Sequence, residues 1–226
     1  MLVLAFDTAT AAVTVALYEW IPGEAARMRA GAEIVDRRRH AELLAPSIAS
    51  VLAEAGVRPV ELSVIAVGVG PGPYTGLRVG LVTARALGNA LGIPVHGVCT
   101  LDAIAWGSRR RRPFVVATDA RRKEVYWARY DSYAHRVTEP AVGPPADAGL
   151  GLPVLGEGAE LYPEVLGPAG HPVLPSAAAI AELAVARMNA EPGLPLLPPE
   201  PLYLRRPDAR EPAARKKVSQ PLMGDR

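Results

Sequence analysis

The feature that most constrains the fold is a pattern that occurs twice along the chain. Residues Leu2–Phe6 form an apolar run that is closed by Asp7, and a short link leads to a second apolar segment, Val13–Tyr18. Such a run is typical of a strand buried on both faces, and the short link predicts a hairpin. The same order of apolar run, aspartate and second segment recurs at Phe114–Thr118, Asp119 and Val125–Tyr130. The echo is limited to these elements, and it indicates an internal duplication of an α/β unit.

Two longer helices are predicted in the first half. From His40 to Ala55 apolar residues recur at helical spacing, although Pro46 is expected to bend this helix or reset its start. The second, Thr75–Leu91, follows a buried strand at Val64–Val69. Residues 139–153, rich in proline and glycine, are expected to form a loop. Shorter elements are predicted near Ala32–Val35 and at Val95–Val98, Leu101–Trp106, Val154–Leu155 and Ala177–Ala190.

The length of 226 residues suits one large domain or two small lobes. We expect a first α/β half over residues 1–108 and a second α/β half over 113–206, joined by the arginine-rich stretch between them. From 207 to 226 the chain has few large apolar residues, and it is expected to be disordered.

Composition favours a cytoplasmic protein that does not insert into a membrane. Cys99 is the single cysteine, so an internal disulfide is impossible and a reducing compartment fits. The apolar start is too short for a signal peptide, and no uncharged apolar run reaches membrane-spanning length. A formal charge of +2 is too small to indicate nucleic-acid binding by itself.

Two polar segments are candidates for a phosphate site. In the Gly70–Gly80 stretch, glycines lie between a strand and a helix, where backbone N–H groups can face an anion and Thr75 can cap the helix. In Asp7–Thr10, a carboxylate and two hydroxyls at a strand end can hold a Mg²⁺ ion bound to phosphate. Both segments also suit ordinary turns and caps, and that alternative remains open. The candidate residues are Asp7, Thr8, Thr10, Gly70, Gly72 and Thr75.

A stripe of small residues runs along one face of the second predicted helix. Gly76, Gly80, Ala84 and Gly88 are spaced four residues apart, so another element can approach this face closely. The stripe packs within the chain or against a second chain, and the spacing does not decide between them. For the second case, the contact also includes Leu44 and Ile48 of the first helix.

Metal, nucleophilic and RNA-binding motifs are poorly supported. The four histidines have no ligand spacing, His40 is expected at the surface, and Cys99 is expected to be a buried structural thiol. The basic clusters are interpreted as solvated surface without an aromatic-rich RNA-binding motif. These clusters are Arg37–Arg39, Arg109–Arg112, Arg121–Lys123, Arg205–Arg206 and Arg215–Lys217.

Taken together and in order, several segments resemble the TsaB (YeaZ) family over residues 1–206. The glycine-rich and Asp-Ala-Arg segments are the most specific, although Pro73 and Tyr74 stand where the family more often has Ser and Phe. The matching segments are Phe6–Thr10, His40–Pro46, Gly70–Arg78, Ile93–Pro94, Thr100–Ala105, Asp119–Tyr126 and Pro201–Arg205.

The resemblance implies a fold and a role. The fold is two related lobes of the actin/Hsp70/sugar-kinase superfamily (ribonuclease H-like), the second shortened, with Asp7, Thr8 and Thr10 at a vestigial phosphate site. The role is that of a subunit that pairs with the related catalytic protein TsaD and the ATPase TsaE. Together they transfer a threonylcarbamoyl group to the adenine beside the anticodon of tRNA. The chain is then expected to meet tRNA only through the complex, and to form a homodimer when alone.

The resemblance also favours a non-catalytic subunit without a cofactor or metal. TsaD-like enzymes carry a His-x-x-x-His metal motif where this chain has Thr100 and Ile104. The segment of this chain most similar to their adenosine-binding Gly-Gly pattern is Gly156–Gly158. The alternatives are an active ATP-dependent transferase or phosphotransferase of the same superfamily, a glycoprotease-like metallopeptidase and an independent RNA-binding module.

Overall fold

The computed structural model describes residues 1–205 except 22, 23, 25, 134, 150 and 190–195. The predicted tail, 207–226, lies outside the described residues. The first of two sheets has the strand order β3-β2-β1-β4-β5. Strands β1 and β2 form an antiparallel hairpin, and β4 and β5 continue the sheet in parallel to β1. Its strands are β1 (Leu2–Asp7), β2 (Ala12–Glu19), β3 (Arg27–Val35), β4 (Val64–Gly68) and β5 (Val95–Val98).

The second sheet repeats the start of the first. Its antiparallel hairpin, β6–β7, carries a parallel neighbour, β10, as β1–β2 carries β4. Its strands are β6 (Phe114–Asp119), β7 (Val125–Ser132), β8 (His135–Arg136), β9 (Ala141–Gly143) and β10 (Val154–Leu155). The equivalence of β1–β2 with β6–β7 confirms the predicted repeat of strand, aspartate and second strand.

Seven α-helices and one short 3-10 helix, Pro59–Glu61, are present among the described residues. Helix α1 begins at His40 as predicted and continues through Pro46, which therefore does not reset its start. Residues 139–153, predicted to be a loop, instead contain β9 and α4. The helices are α1 (His40–Ala55), α2 (Tyr74–Leu91), α3 (Thr100–Ser108), α4 (Pro145–Gly149), α5 (Glu157–Leu161), α6 (Pro163–Leu166) and α7 (Ala177–Asn189).

The first sheet is covered by helices on both faces. On one face, Leu44 and Ile48 of α1 and Leu77 of α2 pack against Phe6 and neighbouring strand residues. The apolar stripe of each helix supplies these contacts, because residues three or four apart lie on the same side. Such burial contributes roughly 1.5–3 kcal/mol for each fully buried leucine or isoleucine.

Helix α7 covers the opposite face of the first sheet, which corrects the predicted second lobe of 113–206. Ile180 and Leu183 of α7 pack with Val3 and Ala5 of β1. The helix therefore belongs by packing to the first lobe, although it follows the second in sequence. Its alanine-rich surface lets it lie close to the sheet.

The segment 196–205 returns across both lobes. Leu197 and Gly97 exchange backbone hydrogen bonds of 3.1 and 2.7 Å, and the Leu202 N–H donates to the Val69 carbonyl at 2.9 Å. Further on, Tyr203 stacks on Tyr74 with ring centroids 5.5 Å apart. The segment is therefore docked along its length. Among the described residues, no helix combines the length and apolarity needed to span a lipid bilayer.

Candidate functional site between the two lobes

Asp7 lies at the end of β1, where the sequence predicts a phosphate site. Its side chain is fully buried. The Ala9 N–H donates to Oδ1 and the Thr100 hydroxyl donates to Oδ2, each at 2.7 Å. Burial raises the pKa of Asp7 to about 6, although both hydrogen bonds act against the rise. A side chain at Gly68 would overlap Oδ2. Both carboxylate oxygens are thus engaged by donors of the chain itself.

The hydroxyl of Thr8 joins the β1–β2 turn to helix α2. It donates to the Gly76 carbonyl at 2.7 Å and accepts from the Gly80 N–H at 3.0 Å. A Cβ on Gly80 would lie 2.6 Å from the Thr8 Oγ1, and one on Gly88 would overlap Val95. These glycines therefore let α2 lie close to its own sheet.

The proposed partner stripe is corrected by this packing. Gly76, Gly80, Ala84 and Gly88 are all buried against the first sheet, so they leave no surface for another chain. Leu44 and Ile48 are also buried, on the sheet-facing side of α1. The intramolecular alternative holds at these six positions, because a sheet covered by helices needs their apolar and small faces.

The glycine-rich loop packs on the β1–β2 turn. Gly70 has φ of +88°, a conformation that favours glycine, and its N–H donates to the Thr100 hydroxyl at 3.1 Å. A side chain at Gly72 would overlap the Ala9 carbonyl. Helix α2 begins at Tyr74, and no side chain caps it, so the prediction that Thr75 is the N-cap is wrong.

His40 and Thr10 close the same side of the turn. The imidazole Nε2 of His40 lies 2.8 Å from the Thr10 carbonyl, and His40 is buried, so its predicted surface position is wrong. The Thr10 hydroxyl accepts from the Ala12 N–H at 3.3 Å. Three preceding arginines suggested exposure, but the first turn of α1 points its histidine into the protein.

The ends of β1 and β6 face each other across a narrow cleft. Arg37, from the first lobe, forms an ion pair with Glu157 of α5 and lies 3.6 Å from Asp119 at the end of β6. Arg121 lies 3.3 Å from the same Asp119 oxygen. Burial raises the pKa of Glu157, although Arg37 opposes the rise. The remaining cavity is about 10 Å³, whereas small-molecule sites usually measure ≈ 300–1,000 Å³. This cavity beside Ala9, Arg37 and Asp119 is therefore smaller than a typical small-molecule site.

The positions that correspond to the His-x-x-x-His motif lie in the core. Thr100 and Ile104 are both fully buried, Thr100 between Asp7 and Gly70 and Ile104 in an apolar cluster. The described part of the chain holds no group of three or more His, Cys, Asp or Glu side chains suited to a metal ion. Cys99 is buried as predicted, and burial raises the pKa of its thiol to about 12.

Gly156 and Gly158, the nearest approach to an adenosine loop, have a packing role. Gly156 has φ of +97°, and a side chain there would overlap the Ala117 carbonyl. A Cβ on Gly158 would lie 2.9 Å from the Ala117 side chain. The glycines therefore bring α5 against the backbone of β6.

Sequence reasoning missed the hydrogen-bonding role of Asp102 on α3. Its carboxylate accepts from the Tyr130 hydroxyl at 2.9 Å, from Arg136 at 2.9 Å and from Arg187 at 2.7 Å. These donors come from β7, β8 and α7. The one available signal was an acidic residue inside the apolar segment Leu101–Ile104, because a buried charge needs partners.

The exposed face of α1 and α2 is formed by other residues than those predicted to contact a partner. Tyr74 and Val82 are exposed to 46% and 65%, and the Arg78 guanidinium lies 3.8 Å from the Tyr74 ring centroid. On α1, the exposed side includes a row of small residues four apart. They are Ala41, Ala45, Ala49 and Ala53.

Comparisons with known proteins identify the family. A family model described as TsaD, tRNA N6-adenosine threonylcarbamoyltransferase, matches residues 34–162. An uncharacterized protein of Mycobacterium leprae is 46% identical over 210 residues, which cover 92% of this chain and 56% of that protein. The tRNA threonylcarbamoyladenosine biosynthesis protein TsaB of Escherichia coli is 37% identical over 133 residues, 58% of this chain and 55% of that protein. The chain thus spans a little over half the length of these relatives.

A solved structure covers nearly the whole fold. YeaZ from Pseudomonas aeruginosa aligns with a TM-score of 0.74 and 30% identity, over 90% of this chain and 99% of that chain. This similarity and the paired hairpins confirm the expected two-lobed actin/Hsp70-type α/β fold. Since the chain is 30% identical to YeaZ over 99% of that protein, and a model of the related TsaD matches more than half of its residues, the chain belongs to the TsaB (YeaZ) family.

Proposed function

We propose that this chain is a non-catalytic subunit in the formation of threonylcarbamoyl-adenosine in tRNA, acting with a TsaD-like catalytic subunit and a TsaE-like ATPase. Family membership supports the pathway, because the E. coli relative is named as a biosynthesis protein of this modification. The related family model describes a threonylcarbamoyltransferase. The TsaD-like and TsaE-like partners are those that the family resemblance implies.

The closed cleft supports a non-catalytic role. In the superfamily that the chain resembles, the Asp-Thr hairpin of the first lobe faces nucleotide phosphates, and here Arg37 bridges the space beside that hairpin to Glu157 and Asp119. Asp7 is buried and hydrogen-bonded on both oxygens, so it is poorly placed to hold a metal ion or activate a water molecule. Opening the site would separate the paired charges and expose this carboxylate.

We place the TsaD-like partner on the outward face of α1 and α2. Tyr and Arg are enriched at the energetic centres of interfaces, and Tyr74, Arg78 and Val82 form such a group here. Beside them, the small residues of α1 allow helices of another chain to approach closely. The same face can pair with a second copy when the partner is absent, which gives the homodimer.

Reconstitution tests the proposed role. The chain is combined with the TsaD-like and TsaE-like proteins of the same organism, ATP, an unmodified tRNA transcript and threonylcarbamoyl-adenylate labelled in its threonyl group. Transfer of the label to tRNA, with release of AMP, is measured. We expect incorporation with all three proteins and only background when this chain is left out or used alone. Full incorporation without this chain contradicts the proposal.

A matched pair of variants tests the face. Ala86→Arg introduces a bulky charge on the exposed side of α2, and Ala146→Arg makes the same change on α4 of the other lobe. We expect Ala86→Arg to weaken binding to the TsaD-like subunit at least about 30-fold, equivalent to the ~2 kcal/mol of an interface hot spot. Ala146→Arg should bind as the unmodified chain does. Equal affinities would place the interface elsewhere.

A further inference from the structure

Two basic clusters that lie far apart in the sequence meet at the mouth of the cleft. Arg37–Arg39 precedes α1, and Arg121–Lys123 forms the turn between β6 and β7. Terminal nitrogens of Arg37 and Arg121 lie 3.6 and 3.3 Å from the same Oδ2 atom of Asp119. The two clusters therefore form one surface, which we call the cleft-mouth basic patch.

The two carboxylates that pair with Arg37 and Arg121 are less exposed than these arginines, although Glu42 and Glu160 are exposed nearby. The side chains of Asp119 and Glu157 are 12% and 8% exposed, whereas those of Arg37 and Arg121 are 44% and 52% exposed. Arg38 and Lys123 are also exposed, and neither forms an ion pair with another described residue. The patch therefore presents positive charge to solvent at Arg38 and Lys123, which no carboxylate of the described residues pairs with.

The backbone of the β6–β7 turn, which carries three cationic residues, has a defined conformation. Arg121, Arg122 and Lys123 have φ of 61°, 57° and 61°, a left-handed conformation that is uncommon for residues other than glycine. The Arg121 N–H donates to the Asp119 carboxylate at 2.7 Å, and backbone hydrogen bonds of 3.0 Å close the turn on both sides.

Arg205 fixes the base of the same turn. It donates to the Ala120 carbonyl at 3.1 Å and forms an ion pair with Glu124. The turn is therefore held by contacts on both its flanks and by the segment that follows α7. The backbone of a turn ordered in this way loses less conformational freedom when its residues bind a partner.

We infer that the cleft-mouth basic patch contacts the phosphate backbone of RNA, which in the proposed complex is the tRNA substrate. Exposed arginine and lysine side chains bind a phosphate chain by charge and by releasing its counterions. Such contacts position an RNA without reading its bases, so no base-specific pocket is required. That the RNA is tRNA rests on the proposed function. That the patch binds RNA is inferred from the charges described above.

Arg38 and Lys123 give the sharpest test, because they can be neutralised without breaking an ion pair of the closed cleft. The patch variant carries both Arg38→Gln and Lys123→Gln. It is compared with a control variant that carries both Arg111→Gln and Arg112→Gln. The control removes the same charge from the exposed link before β6. Each is assembled with the TsaD-like subunit, and binding of a labelled unmodified tRNA transcript is measured at 50, 100 and 200 mM salt.

We expect the patch variant to bind tRNA about tenfold more weakly at 50 mM salt, with a slope of log affinity against log salt that is shallower by roughly 2. The control should match the unmodified complex, and both should still assemble with the TsaD-like subunit. If assembly and modification succeed but the patch variant keeps the affinity and the salt slope, the inference about the patch is wrong. If instead the patch variant loses the protein partner, the patch is a protein interface and the RNA assignment is overturned. A wild-type chain that neither assembles nor supports modification contradicts the proposed function itself.

Discussion

At the scale of single residues, Asp7 shows how burial determines the role of a charged group. A carboxylate at the end of a strand can hold a metal ion, and the sequence allows that interpretation. In the folded protein its oxygens receive hydrogen bonds from Ala9 and Thr100, and burial raises its pKa to about 6 from 3.8. Asp7 therefore joins β1 to the start of α3, and its ionised form is disfavoured in the folded state.

This raised pKa predicts a pH-dependent effect of Asp7→Asn. Because the pKa is higher in the folded than in the unfolded state, the folded state binds more protons between pH 4 and 6. The contribution of Asp7 to stability is then fully present below its unfolded pKa and is lost as the pH rises through about 6. Asparagine cannot ionise. Relative to the unmodified protein, Asp7→Asn should therefore gain about 2 kcal/mol between pH 4.5 and 7.

Urea unfolding at the two pH values measures this difference. Asp147→Asn on α4, whose aspartate is exposed, is the control and should show no comparable gain. If the stability difference between Asp7→Asn and the unmodified protein is the same at both pH values, Asp7 does not carry a raised pKa in the folded state.

Asp102 predicts a second residue-scale effect. Asp102→Asn removes the charge that pairs with Arg136 and Arg187, whose side chains are 24% and 11% exposed. Leaving two largely buried arginines without a counter-ion should lower the free energy of unfolding by about 3 kcal/mol. Asp131→Asn, at an exposed pair with His135, should change it little. If Asp102→Asn and Asp131→Asn change the free energy of unfolding in urea by similar amounts, the Asp102 contacts do not anchor α7.

At the scale of elements, helix α2 shows what can be derived from sequence and what cannot. Its end at Leu91 followed from Gly92, which adopts the left-handed C-cap conformation. Its start did not follow from Thr75, because Pro73 fixes the entry and leaves no side-chain cap. The direction of the small-residue stripe was also open, since spacing alone locates one face and does not identify the neighbour of that face.

The two faces of α2 give a matched prediction for stability. Ala84 is fully buried against the sheet, whereas Ala86 is exposed. Ala84→Arg forces a charge into the space between α2 and the strands, so it should destabilise the fold by at least about 3 kcal/mol or prevent folding. Ala86→Arg should stay within about 0.5 kcal/mol of the unmodified protein. Circular dichroism during thermal unfolding separates them, and a stable, folded Ala84→Arg would contradict the assigned packing of α2.

At the scale of the whole molecule, contacts distant in sequence join the two lobes. Arg37 pairs with Glu157 across the cleft, α7 returns to the first sheet, and Arg205 reaches the β6–β7 turn. The apolar runs and the repeated Asp7 and Asp119 patterns indicated an internal duplication, because strand periodicity is local, and the family resemblance implied the two related lobes. The closure of the cleft was not predictable, because exposed arginines in a single sequence do not reveal their partners.

The most direct test of the central claim, that the chain is a non-catalytic member of its family, is ATP turnover by the isolated protein. With the cleft closed by Arg37 and with Asp7 held by the chain itself, the account predicts that phosphate release from Mg²⁺–ATP does not exceed the rate in buffer alone. Asp7→Asn should then leave that rate unchanged. Sustained turnover by the purified chain, abolished by Asp7→Asn in a variant that remains folded, would contradict the account and identify the chain as an active ATP-dependent enzyme.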